Sequence, residues 1–125
     1  PVVAKVQFAI GIDFSSKLVQ KAKQYTKKIS NAHIICADSD YLPFQNNVFN
    51  LVVAITLLQN IPNPLATLEE IKRTSKSQAV IAVTALKKEF SKEDFTKLLK
   101  NAQLEISKMK TDDKLRDYIA ICKTR

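Results

Sequence analysis

The stretch Phe49–Thr56, FNLVVAIT, is the most apolar run of the chain, and it indicates the fold class. A continuous run of apolar and β-branched residues is typical of a strand that is covered on both faces, as in a parallel sheet. Its composition predicts that this is the most central strand of the sheet. Outward from it, similar runs predict five more strands: Val6–Ile12, Ala32–Ala37, Ala79–Thr84, Leu104–Lys110 and Asp117–Lys123.

Helices are predicted between these strands, because residue types that cap helices precede amphipathic stretches. The predicted caps are Ser15 or Ser16, Asn63 followed by Pro64, and Ser91 with Phe90 and Phe95 as a hydrophobic staple. The alternation predicts an α/β fold with a mostly parallel sheet, in which the final hairpin adds one antiparallel strand at an edge. No repeat or linker appears, so residues 1–125 are predicted to form a single domain.

The composition is that of a globular protein, with 46% hydrophobic and 26% charged residues. No run of about 20 apolar residues and no secretory signal is present, so we expect no membrane contact and a cytoplasmic location. The net charge is +8. The lysines between Lys17 and Lys28 form a basic helix surface, which favours a solvated face and leaves weak contact with RNA open.

Rare residue types exclude several kinds of site. The chain has one glycine, Gly11, where about nine would be average, so these residues contain no glycine-rich phosphate loop. His33 is the single histidine, and no metal site is predicted. Both cysteines, Cys36 and Cys122, lie in apolar runs, which indicates buried thiols and a reducing compartment. We expect their Cα atoms to lie too far apart for a disulfide.

Three segments together resemble the class I S-adenosylmethionine-dependent methyltransferases, and most closely the small-domain type that includes menaquinone- and tRNA-modifying enzymes. Asp13 ends the first strand, and a D-x-x-x-L-P-F segment, Asp38–Phe44, begins 25 residues later. An F-N-L-V-V strand follows, where the family usually shows F-D-L-V. The resemblance runs from about Val6 to the end of the chain. It implies a Rossmann-like sheet and S-adenosylmethionine as cofactor.

The resemblance also implies which residues bind the cofactor, since ligands of open α/β sheets lie outside the carboxyl ends of the strands. In the family, the acidic residue at the position of Asp13 accepts hydrogen bonds from the ribose hydroxyls, and Phe14 would lie against the adenine. Asp38 would bond the adenine amine and the Ser39 N–H a ring nitrogen, while Thr56 ends the third strand. Taken singly, the two aspartates also fit a helix-dipole residue and a turn residue.

One departure from the family concerns its first strand, whose glycine-rich turn holds the methionine half of the cofactor. Only Pro1–Lys5 precede the first predicted strand, so that strand and the helix after it are expected to be absent from this chain. A missing central strand would leave two rows of unpaired backbone groups. Three arrangements would resolve this: a longer protein of which this is the C-terminal part, a strand donated by a partner or second copy, or direct pairing of the flanking strands.

The methyl acceptor cannot be assigned from the residues. The N-P-P-[YF] motif of amino-methylating relatives is replaced by Ala54-Ile55-Thr56-Leu57, and no residue is predicted as a general base. Residues on loops at the predicted pocket rim are Tyr41, Gln59, Asn60, Lys87 and Lys88, the lysines fitting an ordinary surface better. A small molecule or tRNA is expected as acceptor. The alternative function is a non-catalytic methyltransferase-like module that binds protein or RNA.

Overall fold

The structure is a computed structural model that describes residues 9–13, 32–36, 41–54, 58 and 61–124. In residues 9–13 and 32–36 the description covers the backbone. The chain divides into two compact units, Pro1–Pro43 and Phe44–Arg125. The prediction of a single domain over residues 1–125 stays a prediction.

The first unit contains two parallel strands, β1 (Ala9–Asp13) and β2 (Ala32–Cys36). They pair in continuous register, from Ala9 opposite Ala32 to Asp13 opposite Cys36. Both predicted strands are therefore confirmed within the described residues, together with their parallel pairing. The helix predicted to begin at Ser15 or Ser16, with its basic surface, lies outside the described residues.

The second unit is a four-stranded sheet with two helices. Its elements are β3 (Phe49–Ala54), α1 (Pro64–Thr74), β4 (Ser75–Leu86), α2 (Lys92–Asn101), β5 (Leu104–Lys110) and β6 (Asp117–Thr124). The strand order is β3-β4-β6-β5. β3 and β4 are parallel, and β6 is antiparallel to both β4 and β5. Within this sheet β6 alone runs against the other strands, which confirms a mostly parallel fold with one antiparallel strand from the final hairpin.

Two positions within this sheet differ from the prediction. The antiparallel strand is not at an edge. After β4 and α2 the chain forms β5 at the outer edge of the sheet, and β6 then lies between β4 and β5. The FNLVVAIT segment was predicted to be the most central strand. In the four-stranded sheet β3 is instead an edge strand that pairs with β4 alone. The apolar composition of β3 therefore does not indicate its position in the strand order of this sheet.

β4 begins earlier than the apolar run Ala79–Thr84 predicts. The prediction starts the strand at Ala79, whereas the structure starts it at Ser75, directly after α1. The register jumps from Phe49 opposite Ser75 to Leu51 opposite Val80, and Gln78 in this bulge has a φ of 66°. Regular pairing thus begins at Val80, one residue after the predicted start of the strand.

The predicted helix caps are confirmed at both described helices. The Asn63 side chain accepts a hydrogen bond from the Ala66 N–H at 3.2 Å, with Pro64 in the first turn. The Ser91 hydroxyl accepts one from the Asp94 N–H at 3.0 Å. These side chains satisfy amide donors that the first turn of a helix leaves without partners. The rings of Phe90 and Phe95 lie 6.5 Å apart between centroids, as the staple requires.

Both helices pack on one face of the four-stranded sheet, and the core lies between them. Buried side chains come from the helices (Leu68, Ile71, Phe95 and Leu99) and from the strands (Ile81, Val83, Ala85, Ala120 and Cys122). Each large apolar side chain buried in this way contributes about 1.5–3 kcal/mol. This face, which we call the helix-covered face, holds the second unit together.

The opposite face of the same sheet is also apolar but less buried. Successive side chains of a strand point to opposite faces, so Leu51 and Val53 lie on the side away from the helices. They are 46% and 49% exposed. Their neighbours Ala82 and Ile121 are only partly buried. We call this side the open face.

No helix in the described part of the chain has the length and apolar content needed to span a membrane.

Candidate functional site at the carboxyl ends of the strands

The carboxyl ends of the parallel strands define where a ligand of this fold is expected. β3 ends at Ala54 and β4 ends at Leu86, and because the two strands are parallel their ends lie at one edge of the sheet. β6 is antiparallel and begins at that same edge, with Asp117 opposite Leu86. In open α/β sheets ligands bind outside this edge. We call it the carboxyl-end edge.

Two of the predicted site residues, Asp13 and Tyr41, lie among the described residues. Asp13 is the last residue of β1, as predicted, opposite Cys36 at the end of β2. Tyr41, predicted at the rim, is 78% exposed. The other predicted site residues lie outside the described residues: Phe14, Asp38, Ser39, Thr56, Gln59 and Asn60. Their roles stay predictions.

The end of the D-x-x-x-L-P-F segment is anchored to the start of β3. The ring of Phe44 packs edge-to-face on that of Phe49, with centroids 5.0 Å apart. Arg73, in the last turn of α1, donates from Nη1 to the Phe44 carbonyl and to the Asn46 side-chain oxygen, both at 2.8 Å. Phe44, at the end of the D-x-x-x-L-P-F segment, and Phe49, at the start of β3, therefore have a structural role, since they fix how the chain enters β3.

Arg73 is itself held by a two-pronged ion pair. Its Nε and Nη2 donate to the Glu70 carboxylate at 2.6 and 3.0 Å. This hydrogen-bonded partner raises the pKa of the Arg73 guanidinium above its usual value. The main chain adds two bonds, from the Asn47 N–H to the Arg73 carbonyl and from the Val48 N–H to the Thr74 carbonyl. The sequence prediction missed this anchor, although Glu and Arg three residues apart on a helix are a detectable signal.

Lys87, predicted as a rim residue, has a structural role in the hairpin. Its N–H donates to the Arg116 carbonyl at 3.0 Å. Its ammonium group donates to the carbonyls of Thr111 and Asp112 at 3.2 and 2.7 Å, and lies 5.5 Å from the centroid of the Tyr118 ring. The side chain thus ties the end of β4 to the β5–β6 connection. Lys88, next along the chain, is exposed.

Asp117 is a polar residue of this edge that the sequence prediction missed. Its Oδ1 atom is buried and has no hydrogen-bond partner. Buried polar atoms are normally paired, so an orphan acceptor at a ligand-binding edge requires an explanation. The sequence places Asp117 at the start of a predicted strand and Asp112 and Asp113 before it, but nothing in the sequence indicates that one Asp117 oxygen is buried.

A polar groove lies at the other end of the strands. It has a volume of about 420 Å³ and lies among the residues that precede β3 and those that end both helices. Its lining includes Asn46, Lys72, Arg73 and Gln103, and the Lys72 ammonium donates to the Gln103 side chain at 2.9 Å. This groove opens at the amino end of β3, so it is separate from the carboxyl-end edge.

Cys122, the cysteine whose side chain the structure describes, has a structural role. Cys36 lies in β2 and Cys122 in β6, the strands predicted for them. Cys122 is a free, fully buried thiol, and burial raises its pKa to about 11. A protonated thiol in the core is a poor nucleophile, so Cys122 is not a catalytic candidate. The distance between the two cysteines stays a prediction.

The fold and this edge define an α/β protein with a Rossmann-like, ligand-binding arrangement of strands. A family model described as a methyltransferase domain matches residues 2–120. The chain therefore belongs to the methyltransferase domain family, and the expected fold class is confirmed.

Individual relatives agree with this assignment. A demethylmenaquinone methyltransferase of Staphylococcus saprophyticus is 38% identical over 72 residues, which cover 58% of this chain and 31% of that protein. The matched segment thus covers about a third of the length of this curated relative. A solved S-adenosylmethionine-dependent methyltransferase of Methanosarcina mazei superposes with a TM-score of 0.84, at 15% identity, over 98% of this chain and 84% of the other. One from Aquifex aeolicus gives 0.83, at 17% identity, over 92% and 68%.

Proposed function

We propose that the chain is the principal part of an S-adenosylmethionine-dependent methyltransferase. The observation that carries this proposal is the methyltransferase-domain match over residues 2–120. The parallel pairs β1–β2 and β3–β4 support it, because each presents carboxyl ends where a ligand can bind. The bound cofactor would supply an electrophilic methyl group on a sulfonium sulfur.

The cofactor-binding residues that we propose are Asp13, Phe14, Asp38, Ser39 and Thr56. The Asp13 carboxylate accepts hydrogen bonds from the ribose hydroxyls, and the end of a parallel strand is a suitable position for it. Phe14 covers the adenine, while Asp38 and the Ser39 N–H bond its polar edge. A hydrogen bond to a charged group contributes about 1.5–3 kcal/mol. The donors and acceptors of this set fit a nucleoside.

The reaction that we propose depends on positioning more than on a proton-transfer residue. The nucleophilic atom of the acceptor bonds to the methyl carbon, and the carbon–sulfur bond breaks with its electron pair left on sulfur. The acceptor then loses a proton to solvent. The residues around the pocket need only hold the acceptor in line with that bond and exclude water.

The acceptor that we propose is a small aromatic molecule of the quinone class in its reduced, dihydroxy form, because the electron-poor quinone ring itself would not attack the methyl group. Support comes from the name of the matched relative, a demethylmenaquinone methyltransferase. Tyr41, Gln59 and Asn60 are the proposed contacts, and the exposure of Tyr41 leaves its ring accessible. RNA is the competing acceptor, supported by the net charge of +8. Methyl-transfer assays with a dihydroxynaphthalene and with transfer RNA separate the two.

The complete enzyme, in this proposal, has a further strand beside β3 and a glycine-rich turn. The edge position of β3 supports the further strand, and the exposure of Leu51 and Val53 supports a helix after it that covers the open face. The strand would come from the same protein, in which case the chain is its C-terminal part, or from a partner or a second copy in a homodimer. We further propose a cytoplasmic location, since a buried free thiol such as Cys122 suits a reducing compartment.

Calorimetric titration of the natural protein with S-adenosylhomocysteine tests the proposed function. We expect the Asp13→Ala variant to bind at least about tenfold more weakly, because ribose hydrogen bonds are lost. The matched control is Asp113→Ala, which removes an exposed aspartate far along the chain. Equal affinities for the parent and Asp13→Ala would contradict the assignment. A protein that binds no cofactor but does bind RNA or protein would instead be the non-catalytic module.

A further inference from the structure

Asp117 lies at the carboxyl-end edge and faces the open side of the sheet. It is the first residue of β6 and pairs with Leu86, the last residue of β4. The next residue, Tyr118, stacks on Phe95 of α2 with ring centroids 6.2 Å apart, so it belongs to the helix-covered face. Because side chains alternate along a strand, the Asp117 carboxylate belongs to the open face.

One oxygen of this carboxylate is shielded from solvent and accepts no hydrogen bond. Oδ1 is buried and unpartnered. The neighbouring cation Lys87 uses its ammonium on the carbonyls of Thr111 and Asp112. Within the described residues the recorded ion pair is Arg73–Glu70, so Asp117 gains no salt bridge from them. A buried acceptor in this state destabilises the fold unless something else donates to it.

The position of the orphan oxygen indicates what the missing donor is. It lies at the edge where this fold binds ligands, and it needs an O–H or N–H group. In the proposed function the ribose and adenine donors are assigned to Asp13 and Asp38, and the methionine half of the cofactor to the glycine-rich turn, which leaves the methyl acceptor as the donor. We propose that Asp117 is an acceptor-binding residue, whose carboxylate takes a hydrogen bond from a hydroxyl or amine of the methyl acceptor. This inference rests on the proposed function and adds a residue and a chemical requirement to it.

The proposed hydrogen bond to Asp117 can be tested with two probes that share a naphthalene ring, of which one has hydroxyl donors and the other has none. The probes are 1,4-dihydroxynaphthalene, which has hydroxyl donors, and 1,4-dimethoxynaphthalene, which has none. Binding of each to the natural protein, saturated with S-adenosylhomocysteine, is measured for the parent, Asp117→Asn and the exposed control Asp113→Asn. We expect Asp117→Asn to weaken binding of the dihydroxy probe at least tenfold, and to leave the dimethoxy probe and S-adenosylhomocysteine unchanged. Asp113→Asn should bind both probes as the parent does.

Three results would overturn the inference. The first is equal affinity of the parent for the two probes, and the second is a dihydroxy-probe affinity that Asp117→Asn leaves within twofold of the parent. The third is cofactor binding with no binding of the dihydroxy probe. If the parent protein does not bind S-adenosylhomocysteine at all, the proposed function itself is contradicted. Failure of the inference and failure of the proposed function are therefore distinguishable.

A stability measurement separates a binding role from a structural one. Asp117→Val removes both oxygens and keeps a side chain that suits a strand. If Oδ1 is an orphan, the urea midpoint of Asp117→Val, measured without ligand, should equal or exceed that of the parent. A clearly lower midpoint would mean that the fold itself satisfies the carboxylate, and the binding role would be withdrawn.

Discussion

The two faces of the four-stranded sheet have similar compositions and different surroundings. On the helix-covered face Ile81 and Val83 are fully buried beneath α1 and α2. On the open face Leu51 and Val53 remain about half exposed. Strands that are apolar on both faces are typical of parallel sheets with a layer on each side. We therefore expect the open face to be covered in the working protein by a layer that the described residues of the second unit do not supply.

The largest expected effect is the loss of the Phe95 ring from the helix-covered face. Phe95 is fully buried and contacts the rings of Phe90 and Tyr118. Phe95→Ala should lower the free energy of unfolding by about 3–5 kcal/mol, because it removes apolar contacts and leaves a cavity. The matched open-face variant, Leu51→Ala, should cost about 1 kcal/mol or less in the 125-residue chain. Urea denaturation measures both, and equal losses would remove the contrast between the faces.

Charges placed on the open face test whether that face is covered. Leu51→Lys together with Val53→Lys should change the stability of the 125-residue chain little, since both positions reach solvent. In the natural protein the same pair should be strongly destabilising, because two unpaired charges would be buried. Thermal denaturation of both forms makes the comparison. Tolerance of both lysines in the natural protein would mean that the open face is an ordinary surface.

The buried thiol of Cys122, on the helix-covered face, makes the free energy of unfolding depend on pH. Burial raises the pKa of its thiol from 9.0 to about 11. Between these values the unfolded chain releases the proton and the folded chain does not, so stability falls as the pH rises from 9 towards 11. Cys122→Ala should lack this part of the pH dependence. Urea midpoints at pH 8 and pH 10 measure it, and identical changes in the two proteins would contradict burial of the thiol.

The smallest effect concerns the anchor of β3, which ties the end of α1 to the segment that enters β3. Arg73→Lys keeps the charge but loses the fork that bonds Glu70 and Phe44. We expect several-fold faster hydrogen exchange at the amides of Asn47 and Val48, which bond the end of α1. The control is Arg116→Lys, at an exposed position. Unchanged exchange in Arg73→Lys would mean that the main-chain bonds suffice.

Local features of the fold could be predicted from the sequence, and long-range ones could not. The caps at Asn63 and Ser91 and the bounds of β5 depend on neighbouring residues, and each agrees with the structure. The insertion of β6 between β4 and β5 depends on how far α2 carries the chain, which no local pattern encodes. The apolar run of β3 predicted burial on both faces but could not identify its neighbours.

The same distinction applies to the candidate site. Asp13 was predicted at the end of a strand because the strand pattern is local, and that position is confirmed. Arg73 and Asp117 were missed, since the anchor spans 29 residues from Phe44 and the orphan oxygen depends on burial. The assignment of the cofactor residues depended on the family resemblance, and their roles remain to be measured.

The central claim is that a strand beside β3 and a glycine-rich turn complete the sheet and its cofactor site. Its most direct test is titration of the purified 125-residue chain and of the natural protein with S-adenosylmethionine, with the mass of each in solution. We expect the natural protein to exceed 14.1 kDa, through extra sequence or association, and to bind the cofactor at least about tenfold more tightly than the isolated chain. Micromolar binding by a 14.1 kDa monomer would contradict the account.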